Sequence, residues 1–338
     1  SRGGALVVEQ FDVLSGDSDL SATGQANNPS APTIVVDVDS DRLDLSPWLP
    51  LLRSAEQSIS APASAESQAE NTPDRLIPDY PLTHRVLNTF QADTTVSIGE
   101  LRGLQRPVLN VLTRVDVGKE GIRVTSARAE NQRGGVAQLT GTLIPDAEGI
   151  PELSMLLEGK GLTLGIPKAP GEDITALPPY DIRLKLAGKG QTTRDLAATL
   201  GGYINMTMGE GIMLNAGLDR VTNSFLQELS KALDPLQEQE ESTQINCAAA
   251  FSVLSEGKLH GKPAVVVDTP NVKVLADATA NLESEKIKIQ FKTVPQKGLG
   301  LSMSSIVFFA PLIFRRKLTA GTSSRPPSGL TSAMSWRS

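Results

Sequence analysis

Asp181-Ile182-Arg183-Leu184-Lys185-Leu186 sets a branched apolar side chain at every second position, and Lys286-Ile287-Lys288-Ile289-Gln290-Phe291-Lys292 repeats the pattern downstream. Successive side chains of a β-strand point to opposite faces, so a period of two predicts strands with one apolar and one wet face. Ile34, Val36 and Val38 within Thr33–Asp39 share a face in the same way, as do Leu153, Met155 and Leu157. Burial on one side only suits antiparallel strands, since parallel sheets are covered on both faces and read as continuous apolar runs. The expected fold is mainly β: an elongated, twisted, largely antiparallel sheet with few helices.

Outside these strands the period changes. Leu218, Val221, Phe225, Leu229 and Leu233 recur at three- and four-residue spacing before Pro235, which predicts one prominent amphipathic helix over 218–233. A shorter helix is expected over Thr193–Leu200 with Thr192 or Thr193 as its N-cap. A helical turn is expected near His84–Phe90, after the Pro-rich stretch Leu76–Leu82. Residues 54–75 are rich in Ser, Ala, Glu and Pro and nearly free of large apolar side chains. Such a segment buries too little surface to offset its ordering entropy, so a disordered linker or insertion is expected there. It separates a β segment over 1–53 from a main β module over 76–306. A unit of strand, Gly turn and strand recurs over 109–165 and 247–293, and in part over 5–46. Hairpins laid side by side at this spacing extend a sheet rather than close a compact sandwich.

The chain has 338 residues and a net charge of -6, enough length for one large or two ordinary domains. No Lys/Arg block faces an aromatic-rich stretch, which argues against a nucleic-acid partner. No run of eighteen apolar residues exists, and Ser1-Arg2-Gly3-Gly4 carries no signal-peptide pattern, so any membrane anchor is expected upstream of residue 1.

Residues that carry chemistry are sparse. His84 and His260 are the only histidines and lie far apart, without a metal-binding motif, so no metal site is expected. Cys247 sits in the alternating stretch Ile245–Phe251, where a small buried hydrophobe is the expected role. Gly159-Lys160-Gly161 and Gly188-Lys189-Gly190 lack the P-loop spacing and are expected as bends at strand ends. No G-x-S-x-G elbow occurs. Asp37, Asp39, Glu238, Glu240 and Glu241 are expected on solvated faces. No catalytic residue, cofactor or enzymatic activity is expected.

Several stretches in order resemble the AsmA family. Arg194–Gly211 is similar to that family's short helix, L-x-G turn and strand ending in Gly. Thr243–Phe251 is similar to its T-x-I-x-C-x-x-A-x-F strand, followed here by a turn at Glu256-Gly257-Lys258-Leu259. Val267-Asp268-Thr269-Pro270 and Ala278–Ile287 resemble its next two strands, with Ala278 where the family usually has Gly. Leu76–Leu82 resembles the start of the same module. The resemblance covers about residues 5–306. It implies a periplasmic part of a protein anchored in the inner (plasma) membrane of a Gram-negative cell envelope, with the sheet curled into a groove. It also implies phospholipid acyl chains as partners, in a group that includes TamB-like bridges between membranes. Moving an acyl chain through water costs about 0.8 kcal/mol per CH₂, on the order of 10 kcal/mol per chain, and an apolar trough lowers that barrier without chemistry. Leu153, Met155, Leu157, Ile182, Leu184, Leu186, Ile287, Ile289 and Phe291 are the expected lining. The alternative is a scaffold or regulator that binds outer-membrane assembly proteins and governs their targeting to the membrane.

From Val307 the resemblance stops. Residues 307–338 hold five Lys/Arg and no Asp or Glu, leaving 27 of the 32 basic residues upstream with all 38 acidic ones. The abrupt charge change suggests a frame-shifted or disordered tail, against a membrane-touching one built on Phe308, Phe309, Leu312, Ile313 and Phe314.

Overall fold

A computed structural model describes residues 6–27, 32–47, 75–82, 90–104, 106–163, 176–214, 242–296 and 306–311. The alternating stretches are strands. In chain order they are β1 (Leu6–Ser15), β2 (Ser18–Asn27), β3 (Thr33–Asp44), β4 (Gln91–Arg102), β5 (Val108–Gly118) and β6 (Gly121–Glu130). Then come β7 (Val136–Pro145), β8 (Pro151–Thr163), β9 (Pro179–Lys189), helix α1 (Thr193–Thr199), β10 (Gly201–Met208) and β11 (Gly211–Leu214). The last are β12 (Ser242–Ile245), β13 (Cys247–Ser255), β14 (Lys258–Asp268), β15 (Val272–Asn281), β16 (Lys286–Pro295) and β17 (Ile306–Pro311).

Fifteen strands form one sheet in chain order, from β1 to β10 and then β13 to β17, while β11 and β12 pair separately with each other. The fold is mainly β, and the sheet stays open rather than closing into a barrel. At about 4.8 Å between neighbours, fourteen steps extend the sheet over roughly 65–70 Å. Its pairs are antiparallel except β3–β4, which runs parallel from Thr33 opposite Gln91 to Asp44 opposite Arg102. Parallel neighbours cannot be joined by a tight turn, and the long connection from Asp44 to Gln91 provides the crossover. The expected linker 54–75 falls in that connection and, apart from Arg75, lies outside the described residues, as does the expected helix 218–233. Residues 83–89 of the expected turn near His84–Phe90 lie outside them too.

Helix α1 matches the shorter expected helix and settles its cap. The Thr192 hydroxyl accepts from the Asp195 N–H at 3.2 Å, and the Asp195 carboxylate accepts from the Thr192 N–H at 3.1 Å, a reciprocal capping box. The Pro-rich stretch runs along the strand ends beside α1: Thr193 N–H donates to Tyr80 O, and Leu76 and Ile77 N–H groups donate to the Glu285 carboxylate. It therefore tethers α1 to the β15–β16 turn.

Gly202 holds a φ of +138°, and a Cβ there would lie 1.9 Å from Lys185 O. Backbone would have to move to admit it. Gly202→Ala is expected to destabilise the chain by about 1–3 kcal/mol in denaturant unfolding, whereas Ala at the open turn residue Gly149, which also has positive φ but no atom within 4 Å, costs less.

Three expectations are corrected. Cys247 is exposed rather than buried: it opens β13 opposite Asp268, out of phase with Ala248 and Ala250, which take the apolar side. Gly159-Lys160-Gly161 does not end a strand but forms a bulge within β8, where the register against β9 shifts between Gly159 and Leu162. Regular structure also continues past residue 306, because Ile306–Pro311 adds an edge strand to β16 with Phe308 opposite Ile289. Residues 312–338 of the tail lie outside the described residues.

Candidate functional site

Directly paired residues of neighbouring strands share a face, so the register shows how far the apolar side extends. One rung starts at Ile287 of β16 and passes through Ala280, Leu259, Leu254, Gly202 and Leu186. It continues through Met155, Gly141, Val124 and Val115, then Thr94, Val36, Gly24 and Val8 of β1. Thr94 is its one polar side chain across fourteen strands.

The nine residues expected to line the face lie on this side. Met155 is opposite Leu186 and Leu157 opposite Leu184, while Leu153 faces Gly188 and Ile182 faces Gly159. Ile287, Ile289 and Phe291 stand opposite Ala280, Ala278 and Ala276. Each of the nine is half-buried, neither sealed nor fully exposed. The lining expected from sequence omitted Ile204, Met206 and Leu259, and also Val36, Val38, Val115, Val117 and Val124, which extend the same surface. The opposite face carries ion pairs such as Arg183–Glu158 at 3.2 Å and Arg114–Asp93 at 2.8 Å, exposed contacts worth little each.

Burial is scarce. Among the described residues nine apolar side chains are buried, far fewer than two packed layers of this size would seal. Some lie at the strand ends, while Ile98 of β4, Ala264 of β14 and Ala276 of β15 are buried mid-strand. At one end Met208 packs with Ile245 of β12, flanked by Tyr180, Ala248 and Val267, and burial raises the Tyr180 phenol above its usual pKa. At the other, a Cβ on Gly188 would meet Leu200 at 3.1–3.2 Å, so the chain leaving α1 lies against the apolar side. Across β9 and β10 these two lips leave Ile182, Leu184, Leu186, Ile204 and Met206 between them.

The rest of the described chain offers little reactive chemistry. His260 is exposed and pairs with Val253 across the strand, while Cys247 lies at the far end of β13. No group of three metal-ligating side chains occurs among the described residues, and no helix among them is long and apolar enough to cross a membrane. A cleft of about 240 Å³ beside the β5–β6 turn is lined by the opposed charges Asp116, Lys119, Glu120 and Arg123. Comparison with family models, with curated proteins and with solved structures finds no match.

Proposed function

We propose that this chain is a non-enzymatic lipid-handling element of the AsmA type, a periplasmic sheet that offers its apolar face as a trough for phospholipid acyl chains. The observation that carries this reading is the rung from β1 to β16, apolar at every strand but β4 (Thr94) and partly exposed at most positions, with Leu254 buried and Val8 exposed. A structural sheet would gain about 25 cal/mol for each Å² of that surface it covered, and a contiguous apolar area of this extent marks a place where something apolar binds. The trough floor is continuous across the strands, so a chain can slide from one strand to the next without leaving apolar contact. In this reading the full-length protein holds the sheet at the inner membrane and the trough serves outer-membrane homeostasis.

Photocrosslinking side chains at Leu157, Leu184 and Ile289, with Arg183 and Lys185 as opposite-face controls, test it in cells. The expected result is phospholipid adducts from the first three and none from the controls. Protein adducts alone from Leu157, Leu184 and Ile289 would favour a scaffold for membrane-protein assembly and end the trough reading.

A further inference from the structure

Arg106 stands just ahead of β5, at the strand ends where Met208 and Ile245 close the apolar face. Its Nη1 donates to the Thr163 hydroxyl at 3.2 Å. Its Nε and Nη2 are inaccessible to solvent and have no hydrogen-bond partner among the described residues. Those two N–H groups form one side of the guanidinium plane, the fork that grips a carboxylate or phosphate with two parallel hydrogen bonds. Buried donors are nearly always satisfied, so an orphaned pair is an exception that needs a cause.

Arg106 also lines a small cavity of about 20 Å³ together with Pro107, Asn131, Gln132, Arg133 and Thr163. Among the described lining residues none is a carboxylate, and two are cationic. The volume admits one oxygen-sized group. Burial alone holds the Arg106 guanidinium below the usual arginine pKa, a penalty that an anion at the fork would relieve. Arg133 Nη1 donates to Leu177 O at 2.7 Å, which ties the notch to the segment leading into β9 and so to the lip of the trough.

We propose that Arg106 is the anchor of an oxyanion subsite that receives a phosphate group, one oxygen in the notch and the fork across it. This rests on the trough reading in one respect: the phosphate is that of a lipid whose chains lie on the neighbouring face. A chain reaches about 15 Å, half the hydrocarbon thickness of a bilayer. The ten residues of β7 extend about 33 Å from this end, long enough to receive it. The subsite fixes the polar end at the rim while the floor holds the chains.

Native mass spectrometry of the chain, loaded from mild detergent with either phosphatidylglycerol or the diacylglycerol of the same acyl chains, separates the two parts. Inorganic phosphate is titrated in parallel and followed by ³¹P NMR. Arg106→Gln is expected to lower phosphatidylglycerol binding ten-fold or more, to leave diacylglycerol binding within two-fold, and to abolish the phosphate line broadening. Arg106→Lys keeps the charge but not the fork and is expected to lose most of the same binding; it carries the comparison if circular dichroism shows the Gln variant unfolded. Unchanged phosphatidylglycerol and phosphate binding in both variants would overturn the subsite and leave the trough reading standing. Phosphate binding that depends on Arg106 in a chain that takes up neither lipid would support the subsite for free phosphate and overturn the trough.

Discussion

On the proposed trough reading, replacing Leu184 with arginine is expected to leave the sheet folded and to lower phospholipid binding ten-fold or more. Leu184 lies between Leu157 and Ile204 on the apolar face and is half-buried, so an arginine there can run its stem along the surface and lift its guanidinium into water. The unfolding free energy is expected to move by about 1 kcal/mol or less, a surface-like cost. On that reading the new charge would sit in the path of the acyl chains, where each approach would strip water from it. Circular dichroism melts beside a lipid-binding assay read both effects. If Leu184→Arg and Ile289→Arg both unfolded the chain, these side chains would be ordinary core, and the trough would lose its floor.

The opposite result is expected at Met208. Its side chain is 5% exposed and packs on Ile245 at the closed end of the same face. Met208→Asp places a carboxylate where Tyr180, Ala248 and Val267 leave it no water, at a cost of about 3–5 kcal/mol. At about 2–4 °C per kcal/mol for a domain of this size, the melting temperature falls by roughly 10 °C. The aspartate itself is expected to titrate upward, because burial disfavours its charged form. The loss is therefore largest above the ordinary carboxylate range and shrinks as pH falls and the group protonates. A flat pH dependence would show that the site is wetter than its packing indicates. The pair of substitutions contrasts one face with itself, sealed at the lip and open on the floor.

Period-two alternation made most of this face legible. Wherever a charged residue alternates with a branched one, as over Asp181–Leu186 and Lys286–Lys292, both strand and facing follow from the chain alone. The alternation carries no facing information where that contrast vanishes. Cys247-Ala248-Ala249-Ala250 is small throughout, so its phase is set by pairing with β10 and β14 rather than by its own side chains, and the cysteine lies on the exposed side instead of the expected buried one. The parallel pairing of β3 with β4 was equally hidden, because a strand carries the same alternation whichever way its neighbour runs. Arg106 could not be found by any spacing rule. Its notch exists only because the β6–β7 turn and the last residue of β8 arrive beside it.

The β3–β4 pair has a consequence for how the molecule assembles. Most neighbouring strands of the sheet are joined by short turns, so their pairing forms locally and can zip outward from many starting points. Pairing β3 with β4 instead closes the long stretch from Asp44 to Gln91, roughly three to four doublings beyond a hairpin turn, at an extra entropic cost of about 2 kcal/mol. Such a contact forms late, after the partners on each side have folded. Strands β1 to β3 are therefore expected to open as one cooperative unit, and hydrogen exchange should show their amides opening together at lower free energy than those of β7 to β9.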